Sequence, residues 1–343
     1  MKAYVRASCQ TFAKKLGPFY VKLANGKFKM ENGKKVTRDP TAAERAAAAS
    51  GGREIYIETR FHDLDLDDAN GDWWEEVTLS PRVWSPDWGS PAQSCSPTGG
   101  SYGPGRTLAA SNGSVWRTHF TSATNNGSDM LATCSLVPEA ELQHDDETRM
   151  YPLQDKNFLP TIRCDSSDLV KANYTGCIFL AGIPSWGMPR KDKIKYRGRN
   201  IPNYMKEHAD HVWTALNDPT RTKPALGFKD IPGLETRRKW LTRTTDDSKY
   251  NKNVAVKDRY CYGKDSVFTD EERAPRNGEE VQCDEYPFAR TLEGAGYNER
   301  DFSLKFIGKK ANQAGGSTQS IFWSRYRVLN GDRFYVFPET DGR

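Results

Sequence analysis

The residue types and spacing best suited to chemistry occur in the run CDEYPFAR, residues 283–290. Asp284 and Glu285 are adjacent carboxylates between a cysteine and a proline. Neighbouring side chains of an extended segment point to opposite sides, so one carboxylate can face a reaction centre while the other binds an arginine or histidine behind it. A disulfide at Cys283 and the ring of Pro287 would restrict this backbone, and such preorganisation lowers a reaction barrier. On residue types alone, an acidic pair on the surface is the competing interpretation.

Three other groups of side chains are candidates for the same site. The stretch YMKEHADHVWTAL, residues 204–216, has the apolar spacing of a helix and contains His211. Arg237 and Arg238 lie in a second predicted short helix, and Arg290 follows the acidic pair, where it could stabilise transition-state charge. The alternatives are a buried structural histidine and plain salt bridges.

The segment RKDKIKYRGR, residues 190–199, has six basic residues and one acid. Lysine and arginine neutralise backbone phosphates of nucleic acids and release counterions. Arg190, Lys191 and Lys193 are therefore predicted to contact phosphate, and a solvated linker is the alternative. The net charge of +5 and the pI near 8.7 only weakly favour a polyanionic partner.

The seven cysteines include no CxxC pair and no cysteine–histidine spacing typical of a zinc site, which argues against a structural metal cluster. Disulfides are the better interpretation. Proximity suggests Cys164–Cys177 and Cys261–Cys283, with Cys95–Cys134 as a third bridge and Cys9 left over.

The elements that must position these residues suggest an α+β chain. With 343 residues, 36% of them hydrophobic, the chain is long enough for two ordinary domains. Alternating segments separated by Pro/Gly/Ser-rich turns predict a β-rich, sandwich-like domain over residues 53–158, preceded by an extension, residues 1–52. Residues 159–343 then form a second domain. Near its end the pattern predicts a glycine-containing turn, a helix over about residues 316–327 and a final strand.

These motifs together resemble the NucA/NucB family of secreted bacterial deoxyribonucleases. The order in this chain is RCD…GCIF, HADHVWTAL, ETRRKWL, CDEYPFA…EGAG, ANQAGGS and NGDRFYVF. The resemblance covers roughly residues 160–343. The DEYP motif is fairly specific, and the others gain force from their order.

The resemblance implies a compact ββα-metal nuclease domain, in which one divalent ion lies between a β-hairpin and a helix. It implies that Asp284 takes a proton from the attacking water as general base, and it supports His211 and Arg238 as catalytic residues. Glu285 and Arg290 are predicted to be catalytic from their positions in the acidic motif itself. It implies that Asn312 is a metal ligand, and an amide oxygen suits a hard cation such as Mg²⁺ or Mn²⁺.

Two departures from the family pattern concern the metal. The family is expected to carry an acidic ligand on the helix after the asparagine, whereas STQSIFWSRY offers no acid there. Gln319 is the available oxygen donor on that helix, and Glu293 or Glu285 are predicted substitutes. The family's EGG is EGAG here, which would alter the turn after Glu293.

The expected activity is metal-dependent, largely sequence-nonspecific hydrolysis of DNA, with RNA left open as a substrate and an inhibitor protein as a further candidate partner. A catalytically weak nuclease-like protein that binds nucleic acid or a surface is the alternative, and the missing acidic ligand favours it. Disulfides and three N-glycosylation triplets agree with an extracellular chain. No signal peptide and no membrane span are visible, so we expect a fragment or an effector exported by another route.

Overall fold

The computed structural model divides into two compact units, residues 1–181 and residues 182–343, called the N-terminal and C-terminal units below. In the C-terminal unit it describes residues 182–297 and 300–339. In the N-terminal unit it describes residues 2–8, 19–20, 23, 25, 27–38, 53–62, 78–84, 95–97, 105–111, 114–122, 129, 131–135, 137–144, 147–152, 161–170 and 175–180.

The described part of the N-terminal unit consists almost entirely of β-strands. They are β1 (Lys2–Ser8), β2 (Phe19–Tyr20), β3 (Met30–Glu31), β4 (Lys34–Lys35), β5 (Thr37–Arg38), β6 (Glu54–His62), β7 (Thr78–Trp84), β8 (Cys95–Pro97), β9 (Arg106–Thr107), β10 (Val115–Ser122), β11 (Ala132–Cys134), β12 (Val137–His144), β13 (Glu147–Pro152), β14 (Ile162–Asp165) and β15 (Gly176–Phe179), with one short helix α1 (Leu108–Ser111).

These strands pair in antiparallel sheets, with the orders β1-β6-β10-β8, β13-β12-β7-β9 and β11-β14-β15 in the larger ones. The β-rich character predicted for residues 53–158 is thus present, and the sandwich packing of these sheets stays a prediction. Strand β1 pairs along β6, so part of the predicted extension, residues 1–52, belongs to this sheet.

The bridge Cys164–Cys177 forms as predicted, between residues that lie opposite each other on β14 and β15. These two strands pair with β11 and therefore belong to the N-terminal unit. The division between units falls after residue 181, later than the boundary predicted before residue 159. Cys134 is disulfide-bonded as well. The side chain of Cys95 lies outside the described residues, so its pairing with Cys134 stays a prediction.

The C-terminal unit mixes helices with short sheets. Its strands are β16 (Ser185–Pro189), β17 (Lys193–Tyr196), β18 (Arg199–Pro202), β19 (Leu241–Thr242), β20 (Val281–Tyr286), β21 (Ser303–Gly308) and β22 (Arg333–Glu339), and its helices are α2 (Lys206–Asn217), α3 (Asp247–Cys261), α4 (Asp270–Arg273) and α5 (Lys309–Arg325). Short 3-10 turns cover Pro219–Arg221 and Glu235–Arg237.

The centre of this unit is an apolar core between the helices α2 and α5 and the sheet β16-β22-β19. Strand β22 runs parallel to β16 and antiparallel to β19. Helix α2 buries its apolar side there, with Ala209, Val212 and Leu216 fully covered. A second core cluster lies around the bridge Cys261–Cys283, beneath α3 and β20. These two cores fix the positions of α2, α3 and α5 around β20.

Strands β20 and β21 pair antiparallel and α5 follows β21 directly, which gives the element order β-β-α. The helix begins at Lys309 because carboxylates outside it satisfy backbone N–H groups at its start. Glu207 accepts from the N–H of Gly308 and Glu279 from that of Lys310, both at 2.8 Å. The predicted start near residue 316 was too late, since the two glycines that suggested a turn lie inside the helix.

Two further predictions of local structure need correction. The segment ETRRKWL contains a 3-10 turn followed by the strand β19 instead of a second helix. Helix α3, whose N-cap Asp246 accepts from the backbone of Ser248 and Lys249, has little apolar periodicity and was not anticipated. Among the described residues, no helix is both long and apolar enough to cross a membrane.

Candidate active site

Strand β20 directs its two acidic side chains to opposite sides, as the alternation of an extended strand requires. Asp284 faces α2 and is 4% exposed. Glu285 interacts electrostatically with Lys257 of α3. The bridge Cys261–Cys283 forms as predicted and ties the last residue of α3 to the residue preceding Asp284. Both carboxylates are therefore held by backbone that is fixed on each side.

Asp284 accepts hydrogen bonds from two histidines of α2 on a single oxygen. Its Oδ2 lies 2.9 Å from Nδ1 of His208 and 2.8 Å from Nδ1 of His211. Residues three apart on a helix lie on the same face, so the spacing HADH presents both rings to β20. All three side chains are buried.

The charge state of this cluster follows from the contacts. Burial alone would raise the pKa of Asp284, but the two histidines outweigh it and hold this pKa well below its ordinary value. An ionised carboxylate only accepts hydrogen bonds, so each histidine Nδ1 carries the proton. Burial lowers the pKa of His211 even though Asp284 opposes the shift, which favours the neutral ring.

The two histidines differ at their other nitrogen. Nε2 of His211 lies 2.8 Å from Oγ of Ser303 on β21, so both nitrogens of this ring are engaged. Nε2 of His208 is buried and has no hydrogen-bond partner among the described residues. Its ring packs against Phe288 and Trp186, with centroid separations of 5.8 and 6.1 Å.

A cavity of about 220 Å³ opens beside this cluster. Its wall combines β16, α2, α3, β20, the segment after β20 and α5. The lining residues are Trp186, His208, Tyr250, Lys257, Cys283, Asp284, Glu285, Phe288, Ala289, Arg290, Asn312, Gly315, Gly316 and Gln319. On α5 the lining residues recur at positions 312, 315, 316 and 319, which is the stripe that one helix face presents. Asp284 and Asn312 thus border one cavity.

Gly315 is required where α5 approaches α2. A Cβ at this position would lie 2.7 Å from two ring carbons of His208. Next to it, a Cβ at Gly316 would meet no atom within 4 Å. Only glycine fits at the first glycine of the ANQAGGS motif, Gly315, without a clash with His208. Glycine lowers the intrinsic stability of a helix, and the close packing of α5 on α2 offsets this loss.

Glu285 is the second carboxylate of the cavity and is incompletely paired. Its Oε2 is buried and has no hydrogen-bond partner among the described residues. Burial raises the pKa of Glu285 to about 7, although Lys257 opposes this shift. A carboxylate in this condition is stabilised by any cation that enters the cavity.

Arg290 and Lys257 supply positive charge to the cavity. Arg290 donates to Asp247 at 2.8 Å and lies over the ring of Tyr250, with its guanidinium carbon 4.0 Å from the centroid. Asn312 donates through Nδ2 to Oε1 of Gln282 at 3.0 Å, and Nε2 of Gln319 has no partner among the described residues. The predicted residues Asp284, Glu285, Arg290, Asn312 and Gln319 are thus brought together.

Other predicted residues lie elsewhere. His211 does not line the cavity, whereas His208 does. Glu293 accepts from the N–H and the hydroxyl of Thr242, both at 2.8 Å, and does not line the cavity either. Its carboxylate joins the loop to β19, apart from the cavity residues, and its role as a metal ligand stays a prediction. Arg237 and Arg238 are exposed on the 3-10 turn, away from the cavity lining.

The basic segment forms the hairpin β17-β18 and the residues before it. Arg190 donates to Asp210 at 2.6 Å and covers the ring of Trp213, an ion pair that neither the phosphate contact nor the solvated linker anticipated. Lys191 and Lys193 are exposed. Arg190 and Lys191 border a second, surface cavity, which also contains Asp192, Lys206 and Asp210.

Several side chains around the cavity beside Asp284 have oxygen atoms that could coordinate a divalent ion. Among the described residues, no group of three or more His, Cys, Asp or Glu side chains is arranged to hold a metal. A smaller oxygen set is present, because Glu285 has an unpartnered carboxylate oxygen and the amides of Asn312 and Gln319 face the same cavity. Mg²⁺ keeps several waters and is often bound by one or two carboxylates, so this set fits such an ion.

His208 and Lys257 were missed by sequence reasoning. The HxxH spacing in HADH was the available signal for His208, because both histidines must share a helix face. Lys257 had no comparable signal.

A histidine oriented by a carboxylate, a carboxylate with one unpartnered oxygen and two cations surround one cavity, and such groups are candidates for a catalytic site. The family Deoxyribonuclease NucA/NucB matches residues 234–337, which confirms the resemblance over the C-terminal region. No curated protein and no solved structure matches the chain.

The matched region includes β19, α3, β20, β21, α5 and most of β22. It starts well after residue 160, where the resemblance was predicted to begin. Helix α2, with His208 and His211, lies before it. Asp284 of the matched region therefore has its hydrogen-bond partners outside that region.

Proposed function

We propose that this protein is a metal-dependent, largely sequence-nonspecific endonuclease that hydrolyses phosphodiester bonds of DNA. The observation that carries the proposal is that the acidic pair of the deoxyribonuclease region borders the same cavity as the amide of Asn312. The substrate class comes from the family match, and the chemistry comes from the side chains of the cavity.

Glu285, Asn312 and Gln319 are the residues that would hold the divalent ion, with Mg²⁺ or Mn²⁺ preferred because all three offer oxygen. When bound, such an ion polarises the phosphoryl oxygen and stabilises the leaving 3′-oxygen. Glu285 is then paired, which removes the cost of burying its charge alone.

The proton acceptor is better assigned to His208 than to Asp284. Asp284 already accepts two hydrogen bonds on Oδ2, and its lowered pKa makes it a weak base. His208 has its Nδ1–H directed at Asp284, which leaves a lone pair on the unpartnered Nε2. Asp284 then fixes the tautomer and stabilises the imidazolium, as the aspartate of a catalytic triad does.

The reaction is an in-line hydrolysis. Water gives one proton to Nε2 of His208 while its oxygen attacks phosphorus, and the bond from phosphorus to the 3′-oxygen breaks. The 3′-oxygen leaves as an alcohol after it takes a proton from solvent. Arg290 and Lys257 stabilise negative charge on the phosphoryl oxygens.

Sequence-nonspecific cutting follows from the kinds of group available. Cations that contact phosphate position the strand and carry no sequence information. The exposed Arg237, Arg238, Lys191 and Lys193 are candidates for such contacts. The disulfides of both units favour a chain that works in an oxidising compartment, and we extend this to secretion.

The test is plasmid nicking by the full chain with Mg²⁺ or Mn²⁺ and with EDTA. We expect cutting that EDTA abolishes and that His208→Gln and Glu285→Gln each reduce strongly. Glu280→Gln is the matched control, because Glu280 is an exposed carboxylate paired with Lys309 outside the cavity. Absence of metal-dependent cutting, or equal loss in the control, would overturn the proposal.

A second candidate is a catalytically weak protein that binds nucleic acid. The absence of a three-ligand His/Cys/Asp/Glu group among the described residues favours it. It predicts DNA binding of equal strength with and without metal, together with no cutting.

A further inference from the structure

An exposed aromatic ring with two lysines near it lies beside α3, the helix that also contributes to the candidate active site. The side chain of Tyr297 is 49% exposed. The Nζ atoms of Lys249 and Lys252 are 5.7 and 5.0 Å from its ring centroid. Among the described residues, neither lysine has a carboxylate partner. We call these three side chains the Tyr297 platform.

The platform shares helix α3 with the cavity. Tyr250 and Lys257 of this helix line the cavity, and Arg290 covers the ring of Tyr250. At 100° per residue, Lys249 lies about 100° from Tyr250 around the helix and Lys252 about 160° from it. Lys249 therefore lies between the cavity side of α3 and Lys252.

The loop that carries Tyr297 is fixed on α3. Asn253 is fully buried, donates to the carbonyls of Ala289 and Thr291, and accepts from the N–H of Gly296. A Cβ at Gly294 would lie 2.3 Å from the Asn253 side chain, which explains the first glycine of the EGAG motif. The distance from platform to cavity is therefore set by packed backbone.

Such a surface suits a particular form of nucleic acid. Exposed aromatic rings bind unpaired bases by stacking, and nearby cations bind the adjoining phosphates. A base within an intact duplex has both faces covered by its neighbours, so it is unavailable to Tyr297 unless it is unstacked. The two lysines alone would bind phosphates of single-stranded or duplex nucleic acid, whereas the tyrosine ring favours the single-stranded form.

We propose that the Tyr297 platform binds single-stranded or locally unpaired DNA, with one base stacked on Tyr297 and phosphates at Lys249 and Lys252. This proposal rests on the proposed nuclease function and names the form of its substrate. The strand would pass around α3 from Lys252 to Lys249 and present its next phosphates to the cavity.

The experiment measures binding of the full chain in EDTA, where no cutting occurs. The probes are a fluorescently labelled oligothymidylate and a hairpin duplex, followed by fluorescence anisotropy. Tyr297→Leu is compared with Tyr297→Phe, which keeps the ring. Phe228→Leu is the matched control, because Phe228 is 79% exposed and has no cation over its ring among the described residues.

We expect Tyr297→Leu to weaken oligothymidylate binding about tenfold and to leave duplex binding unchanged. Tyr297→Phe and Phe228→Leu should keep wild-type affinity. Lys249→Gln and Lys252→Gln should each lower the slope of log affinity against log salt by about 0.7 on the single strand.

The proposal is overturned if the wild-type chain does not bind oligothymidylate, if Tyr297→Leu has no effect, or if it weakens duplex binding equally. Failure of the nuclease proposal appears separately, as absence of metal-dependent nicking by the wild-type chain. The binding result then stands by itself.

Discussion

The two acidic side chains of strand β20 differ in their hydrogen bonds and in the direction of their pKa shifts. On one side, Asp284 receives two histidine hydrogen bonds, and its pKa is lowered. On the other side, Glu285 has an unpartnered oxygen and a pKa raised to about 7. Both residues line the cavity, and they differ because Asp284 lies against two histidines of α2 whereas Glu285 lies near Lys257 of α3. A satisfied carboxylate orients its partners, whereas an unsatisfied one is ready to bind a cation.

We expect the largest loss of nicking activity from a change at Asp284, the carboxylate with two histidine partners. Asp284→Asn keeps the shape but removes the charge that fixes the histidine tautomers, so we expect nicking to fall by about 10³- to 10⁴-fold. Single-turnover cleavage with saturating Mg²⁺ measures this. Asp332→Asn, a change away from the cavity, is the control and should stay near the wild-type rate. A loss below tenfold in Asp284→Asn would contradict the orienting role.

We expect His208 to contribute mainly to the cleavage rate and His211 mainly to the stability of the fold. We expect His208→Gln to reduce cleavage by about 10²- to 10⁴-fold, the usual contribution of a general base. His211→Gln should retain most activity but lower stability by about 1–3 kcal/mol, because Asp284 and Ser303 each lose a buried partner. Cleavage rates and urea unfolding of both variants measure the contrast. If His211→Gln proves the more severe for the rate, the assignment of the two rings is reversed.

The raised pKa of Glu285 predicts a pH dependence of the free energy of unfolding. A carboxyl group with a raised pKa binds its proton more tightly when folded, so its contribution to stability declines as pH rises from its ordinary value of 4.5 to about 7. In EDTA at pH 8, Glu285→Gln should therefore be more stable than wild type by about 2 kcal/mol. At pH 4 this difference should disappear.

A divalent ion should reverse the order of stability of wild type and Glu285→Gln at pH 8. Mg²⁺ or Mn²⁺ should raise the thermal midpoint of the wild-type chain at pH 8 and leave Glu285→Gln unchanged, since the ion pairs with a carboxylate that the variant lacks. Thermal unfolding with and without metal measures this. Equal stabilisation of both proteins would exclude Glu285 as a ligand.

The smallest effect concerns the packing that holds His208 in place. Gly315→Ala forces a Cβ into the His208 ring, and we expect a loss of about 1–3 kcal/mol with reduced cleavage. Gly316→Ala is the matched neighbour with open space, and its better helix propensity should add up to about 1 kcal/mol. Urea unfolding distinguishes them. Equal stability of the two variants would remove the steric argument.

Part of this site could be predicted from local pattern. The acidic pair in CDEYPFAR, the bridge between Cys261 and Cys283, and the apolar stripe of α2 depend on residue types at short spacing. Asn312 and Gln319 were reached through the family resemblance. Strand alternation correctly placed Asp284 and Glu285 on opposite sides, since the period of a strand is independent of its surroundings.

Local pattern misled where a distant contact decided the outcome. The glycines of ANQAGGS indicated a turn, but Gly315 continues α5 because the helix packs on His208. Helix α3 was missed because its apolar residues are few, and the bridge at Cys261 helps to hold it.

The sequence by itself determined the resemblance to a deoxyribonuclease family, the acidic pair and two of the disulfides, because these reside in residue identity and short spacing. Only the tertiary structure decided which histidine keeps a free nitrogen, which carboxylate stays unpaired and which glutamate is used elsewhere. Those choices depend on contacts such as that between His208 and Asp284, which are 76 residues apart. Chain separation of that size leaves no local pattern, so the fold has to bring the groups together before their chemistry is defined.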